Sequence, residues 1–270
     1  MHSIGRKELI MMDNQNLELI NLQEENAWYT TKVRSFYKPM DLCHDEKHFD
    51  EVYNEAMRLG FWSVATDIIS MHELRLLLAA AAFHDVGRCR GDKLHDQYSC
   101  EIIDEHHPIS KILFDKFTPE EIEVIKETIT AHRRRHEAKT EIARILKDAD
   151  KISRTNRKRA LYRFIGFNYT HIYFERYGHD STEIPSPEDQ DGIREEIIER
   201  FTDYYNKSKD GKGKYNMSIH NSTAAIKIYN NNSEGFVEPP SEEEMDETFP
   251  IIMHDLCSKL HQVKAYIIYN

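Results

Sequence analysis

Cysteine and long apolar runs are scarce in this chain of 270 residues. The four cysteines form no Cys-x-x-Cys pair and no disulfide-rich pattern, so we interpret Cys43, Cys89, Cys100 and Cys257 as reduced thiols. No apolar run approaches the length of a bilayer span, and the first 16 residues lack the features of a signal peptide. These absences argue against a secreted disulfide scaffold and a membrane protein, and they predict a cytoplasmic protein.

The sequence also lacks a convincing series of alternating strands. Apolar residues instead recur at helical spacing, and Thr118 before Pro119 is typical of a helix start. These patterns predict an all-α core of about six helices. The predicted core helices are Leu17–Tyr37, His44–Leu59 with Gly60 as its end, Met71–His84, His95–His106, Thr118–His132 and Thr140–Ile165.

Three regions are predicted along the chain. Residues 1–39 form an N-terminal helical segment, and residues 40–165 form the helical core. Residues 166–270 have few apolar segments, so we expect a helical extension with flexible insertions that packs on the core. In this extension the sequence predicts helices at Gly192–Lys207 and Thr248–Tyr269, a loop at Pro185–Asp191, and connectors at Lys207–Asn216 and Asn230–Glu244.

Charge is distributed unevenly. The formal net charge is −11, but residues 126–163 carry +8 and residues 164–270 carry −9. An acidic chain is a poor candidate for broad nucleic-acid binding, whereas a local basic stretch suits a small molecule that carries phosphate. We therefore expect a small phosphorylated partner and no nucleic acid.

The most informative stretch is the apolar run from Leu76 to Phe83, which ends in His84 and Asp85. Because the run is apolar on every face, we expect it to be buried and to carry both polar groups into the interior. A buried carboxylate requires a cation or a metal ion, and neutral imidazole is a common metal ligand. We expect Gly87 to stop the helix, which would leave the pair at the rim of a cavity.

Further histidines and carboxylates lie at places where they could join this pair. His48 lies on an amphipathic helix with His44 one turn earlier, and either or both could be ligands. His95 begins one predicted helix and His132 ends another. Two carboxylates, Asp148 and Asp150, lie inside an apolar helix, where they are costly without a cation.

Taken together, His48, the doublet His84-Asp85 and Asp150 resemble the H…HD…D pattern of the HD superfamily of metal-dependent phosphohydrolases. The resemblance covers about residues 40–160 and implies an HD-type all-α core, to which the C-terminal helical extension is added. Ala149-Asp150-Lys151 resembles the closing element of the family, which favours Asp150 over Asp148 as the ligand. The implied metal ligands are therefore His48, His84, Asp85 and Asp150.

A second resemblance concerns the helix that begins at His95. It is similar to the H-x-x-x-G-A-E-x-L helix of many family members, with Ser99 and Cys100 in place of Gly and Ala. Histidine-rich members use this histidine and a later one for a second metal, which implies His95 and His132 here. One ion is expected, and two could be held.

The donor set suits a divalent transition ion, namely Mn, Fe, Co, Ni or Zn. The resemblance implies cleavage of a phosphate ester of a nucleotide or other small molecule by metal-activated water. We assign catalytic roles to Asp85, Arg88, His95 and His132. The residues predicted to bind substrate are Arg88, Lys93, Arg133 and Lys151.

Two other functions stay open at this point. The set with His95 and His132 resembles the di-iron oxygenases built on the same scaffold. A catalytically weak, nucleotide-sensing regulator would also retain these residues. The sequence leaves open whether the chain forms a homo-oligomer.

Overall fold

The computed structural model describes residues 6–37, 44–91, 93–133, 135–152, 157–178, 181, 183–209, 222–225 and 241–269. All regular elements in these ranges are helical, which confirms the predicted all-α class. The α-helices are α1 (Arg6–Trp28), α2 (Arg34–Phe36), α3 (Glu46–Ala65), α4 (Met71–Phe83), α5 (His95–Asp104), α6 (Lys111–Lys116), α7 (Pro119–Ala131), α8 (Glu141–Ile152), α9 (Arg157–Tyr177), α10 (Pro187–Lys209) and α11 (Glu242–Tyr269). A π-helical turn spans Tyr29–Val33, and 3₁₀ turns span Val86–Cys89 and Pro108–Ser110.

The chain divides into two compact units. The first comprises Met1–Lys38, Phe49–Asp150 and His220–Asn231, and the second comprises Pro39–His48, Lys151–Ile219 and Asn232–Asn270. The proposed boundaries at residues 39 and 165 remain predictions. None of the described helices combines the length and the apolar character needed to cross a membrane.

The core of the first unit is built around α4. Every residue from Leu74 to Phe83 is buried, and the helix packs against α1 and α7. Arg75 is the one charged residue in this run, and its guanidinium pairs with the buried carboxylate of Glu25 on α1 at 2.5 Å. Because a buried charge requires such a partner, this ion pair fixes α1 against α4.

The second unit has a buried apolar cluster of its own, although the sequence predicted too few apolar segments for one. Helix α9 packs against α10 and α11. The cluster joins apolar side chains from all three helices, including Tyr169, Ile197 and Phe249. How this extension lies against the HD-type core stays a prediction.

The expected helix end at Gly60 is wrong, because α3 continues to Ala65. Gly60 is buried inside the helix, and a Cβ atom built there would lie 2.4 Å from Cδ1 of Leu74 on α4. The glycine therefore permits α3 to approach α4 closely and does not terminate the helix.

The predicted loop at Pro185–Asp191 is also too long, because α10 begins at Pro187. Ser186 accepts a hydrogen bond from the backbone N–H of Asp189 at 3.2 Å, as an N-cap residue does. Proline at the first helical position fits this start. The predicted helix at Gly192–Lys207 is therefore longer at both ends.

Two further helices begin earlier than predicted, because α1 begins at Arg6 instead of Leu17 and α11 begins at Glu242 instead of Thr248. The start of α7 agrees with the sequence. The N-cap role of Thr118 is confirmed, since Thr118 and Glu121 form a capping box at the start of α7. In the predicted helix Thr140–Ile165 the structure has α8 and the first part of α9, and residues 153–156 are outside the described residues. Most of the two predicted connectors and Cys43 also lie outside the described residues.

Gly87 does not stop the buried helix, which already ends at Phe83. It lies instead within a 3₁₀ turn that passes very close to the first turns of α5. A Cβ atom built at Gly87 would lie 2.2 Å from the carbonyl oxygen of His95 and 2.3 Å from the amide nitrogen of Ser99. The absence of a side chain is therefore required for packing.

Replacement of this glycine gives a first prediction. Because the clash is with backbone, Gly87→Ala should destabilise the protein by about 1–3 kcal/mol. Gly192→Ala is the matched control: this glycine lies inside α10, its new Cβ would make ordinary contacts, and alanine should stabilise the helix by up to about 1 kcal/mol. Urea unfolding gives the free energy of unfolding of both variants. Equal changes in Gly87→Ala and Gly192→Ala would contradict the packing role of Gly87.

Candidate metal centre

The histidine and aspartate of the doublet lie in the turn that follows α4, and both are buried. The exposed fraction is 0% for His84 and 1% for Asp85. Burial alone lowers the pKa of His84, but the neighbouring carboxylates of Asp85 and Asp150 outweigh burial and raise it. The sequence-based expectation that this pair reaches the interior is therefore met.

Asp85 lies beside two further histidines. Its Oδ1 atom is 3.1 Å from Nε2 of His95 and 3.9 Å from Nε2 of His132. The two Nε2 atoms are 3.2 Å apart, and all three side chains are buried. Three potential ligand atoms thus converge on one point inside the first unit, a geometry that a metal ion would fit.

The ring orientation of two histidines suits metal binding. Nδ1 of His84 lies 2.8 Å from the carbonyl oxygen of Ala81, and Nδ1 of His132 contacts the carbonyl oxygen of Ile129. Because a carbonyl oxygen can only accept, each Nδ1 carries the hydrogen, and Nε2 of the neutral ring offers its lone pair. Burial, with His84 nearby, lowers the pKa of His132 to about 4, so this ring stays neutral near pH 7.

His95 is held differently. Arg133 donates a hydrogen bond to Nδ1 of His95 at 3.0 Å. In the neutral ring the hydrogen then lies on Nε2, which faces Asp85. Metal binding at Nε2 of His95 would require the ring hydrogen to move to Nδ1, where Arg133 now donates.

A second group of potential ligands, predicted from the sequence, consists of His48, His84 and Asp150. His48 is fully buried in the first turn of α3, and Asp45 caps that turn by accepting from the backbone N–H of His48 at 3.2 Å. Asp150 is half-buried near the end of α8. His44 stacks edge-on against His48, with ring centroids 5.4 Å apart.

Asp148 lies outside both groups. Its carboxylate is buried and accepts from the backbone N–H and the hydroxyl of Ser222, at 2.7 and 2.8 Å. Asp148 is therefore held by Ser222 and is not exposed to solvent. Ser222 could not be anticipated, because it lies 74 positions along the chain without a local pattern.

The basic residues predicted to bind substrate differ in their placement. Nε of Arg88 lies 3.0 Å from Oδ2 of Asp85, and Arg133 contacts His95. Lys93 is exposed, whereas Lys151 is buried near the end of α8. The structure thus brings two arginines to the ligand groups.

A buried carboxylate that the sequence did not single out lies beside these arginines. Asp96 on α5 has no exposed surface, and its oxygens lie 3.4 Å from Arg133 and 3.4 Å from Arg135. In the sequence, the only indication of Asp96 was its position directly after His95. Asp96 limits the positions that both guanidinium groups can take.

Comparison with known proteins agrees with this arrangement. Residues 55–155 match the family model described as the HD domain, which is consistent with the HD superfamily of metal-dependent phosphohydrolases. The match includes His84, Asp85, His95, His132 and Asp150, and it begins after His48. No curated protein and no solved structure gave a significant match.

Metal stoichiometry gives a second prediction. If both groups hold an ion, purified protein in excess Mn²⁺ should approach two ions per chain, and His95→Ala should fall towards one because it removes one of three ligands from the second position. His171→Ala, an exposed histidine on α9, is the control and should retain both ions. Elemental analysis of dialysed protein measures the ratio.

A native ratio that stays at one in excess metal would contradict the two-ion arrangement. Asp85→Ala provides the stronger test of the doublet, because Asp85 lies next to His84 and also faces His95 and His132. The metal content of Asp85→Ala should fall below that of His95→Ala.

Proposed function

We propose that this protein is a metal-dependent phosphohydrolase that cleaves a phosphate ester of a nucleotide or another small molecule. The observation that carries the proposal is the convergence of Asp85, His95 and His132 beside Arg88, within the matched HD domain. Carboxylate and imidazole ligands suit a divalent transition ion, and an arginine beside them suits a phosphate group.

The ligands in this proposal are His48, His84, Asp85 and Asp150, with His95 and His132 for a second ion. The donor set fits, since His84 and His132 both direct a lone pair away from the backbone carbonyl groups that anchor them. A bound divalent ion supplies an acidified water molecule and polarises the phosphoryl oxygen.

The remaining groups of the site bind and orient the substrate. Arg88 forms an ion pair with Asp85, and a guanidinium can bind a phosphate through two parallel hydrogen bonds. Arg133 is half-buried between His95 and Asp96, so its guanidinium can turn towards an anion next to the ligand groups. Both arginines would stabilise negative charge that develops on the phosphoryl group.

The same two groups of ligands also fit a di-iron oxygenase, and this function is the second candidate. The two candidates differ in metal and reaction. A hydrolase releases inorganic phosphate with redox-inactive ions such as Zn²⁺, whereas an oxygenase requires iron and consumes O₂.

A screen of the purified protein against phosphate esters tests the proposal. The protein is freed of metal, reloaded separately with Mn²⁺, Co²⁺, Ni²⁺, Zn²⁺ or Fe²⁺, and assayed for phosphate release from nucleotides and sugar phosphates. We expect release with at least one ion and loss of release in Asp85→Ala. Metal binding without release from any ester would favour the sensing regulator, and iron-dependent O₂ consumption would favour the oxygenase.

Arg88 gives a third prediction. Arg88→Ala should lower turnover of the best ester by one or more orders of magnitude without loss of metal, because it removes charge stabilisation and leaves the ligands in place. Arg88→Lys should restore part of the rate, since a point charge survives without the bidentate geometry. Arg90→Ala, two residues away and paired with Glu105 at the surface, is the control. Native turnover in Arg88→Ala would exclude the role.

A further inference from the structure

The turn that carries His84 and Asp85 has irregular backbone in a fully buried environment. Helix α4 ends at Phe83, and Asp85 has φ −117° and ψ 3°, so the α-helical pattern no longer pairs its backbone N–H, whereas its C=O accepts from the N–H of Arg88 at 3.0 Å. Buried N–H and C=O groups require partners from elsewhere. The groups that supply them therefore fix the position of the doublet.

One of these partners is Tyr37, a fully buried tyrosine that directly follows α2. Its hydroxyl donates to the carbonyl oxygen of Ala82 at 3.0 Å and accepts from the backbone N–H of Asp85 at 3.2 Å. A single oxygen atom thus joins the last turn of α4 to the aspartate of the doublet.

A second hydroxyl holds the other side of the same turn. Ser99 on α5 accepts from the backbone N–H of Gly87 at 2.9 Å and donates to the carbonyl oxygen of His84 at 3.2 Å. The two hydroxyls therefore hold the doublet between the N-terminal segment and α5. Ser99 lies within the matched HD domain, whereas Tyr37 lies 18 positions before it begins.

The ring of Tyr37 is itself held in place by neighbours on the same unit. It packs edge-on against Phe49 with ring centroids 5.2 Å apart, and its centroid is 6.2 Å from that of His84. The π-helical turn at Tyr29–Val33 precedes it, and Tyr29, Val33 and Tyr37 are all buried at intervals of four residues. This spacing directs the segment's apolar face, with the tyrosine at its end, into the core.

We propose that Tyr37 is a positioning residue for the metal centre, which sets the backbone of Asp85 and thereby the direction of its carboxylate. This role depends on one part of the function proposed above, namely that His84 and Asp85 bind metal. It assigns a role at the site to a residue of the N-terminal segment, outside the HD domain. Outer partners of metal ligands typically contribute about 10–100-fold to metal affinity.

The test replaces Tyr37 by phenylalanine, which removes one buried oxygen and keeps the ring. Tyr29→Phe and Tyr53→Phe are matched controls, because both hydroxyls are buried and have no hydrogen-bond partner among the described residues. Titration calorimetry with Mn²⁺ and the visible spectrum of Co²⁺-loaded protein report on the centre without any assay of activity.

We expect Tyr37→Phe to bind Mn²⁺ about tenfold or more weakly and to show an altered Co²⁺ spectrum, while both controls retain native values. Native affinity and spectrum in Tyr37→Phe would overturn the proposal. Failure of the native protein to bind any metal would instead overturn the proposed function, so the two failures are distinguishable.

A measurement on the native protein covers the case in which Tyr37→Phe does not fold. Tyrosine labelled with ¹³C at Cζ and incorporated at position 37 alone gives a single NMR signal, and the same label placed at position 29 or 53 provides the controls. Addition of Zn²⁺ should shift the Tyr37 signal, because the Tyr37 hydroxyl accepts a hydrogen bond from the backbone N–H of Asp85, a proposed metal ligand. An unchanged Tyr37 signal at full metal occupancy would contradict the positioning role.

Discussion

The constraint on which the site depends is the burial of the Asp85 carboxylate. An ionised carboxylate with 1% exposure is costly unless a cation compensates it, and the guanidinium of Arg88 lies 3.0 Å away. His95 and His132 approach the other oxygen. A divalent ion would compensate Asp85 more completely than one arginine and would give the neutral imidazoles a partner. The surrounding helices bring these groups together at one buried point.

This arrangement is maintained through the backbone. The carbonyl groups at the ends of α4 and α7 fix the tautomers of His84 and His132. The absence of a side chain at Gly87 permits α5, which carries His95, to approach the doublet. These backbone contacts set the positions of the ligands and take no part in the proposed reaction.

Much of the fold could be predicted from the sequence, because helical spacing and capping residues are local signals. Thr118 correctly indicated the start of α7. The helix ends predicted at Gly60 and Gly87 were wrong, because close helix packing favours glycine as much as helix termination does. The HD family was evident from its doublet, and the family model confirms it over residues 55–155. Contacts such as those of Tyr37 and Ser222 join residues that are distant in sequence, so no local pattern could indicate them.

The most direct test of the central claim is a crystal structure of the protein grown with Mn²⁺, with anomalous scattering used to locate the ions. We expect anomalous density within coordination distance of Asp85, with His84 among the ligands of one ion and with His95 and His132 directed at the other. Density confined to surface carboxylates, with Asp85 still paired to Arg88 in excess metal, would contradict it.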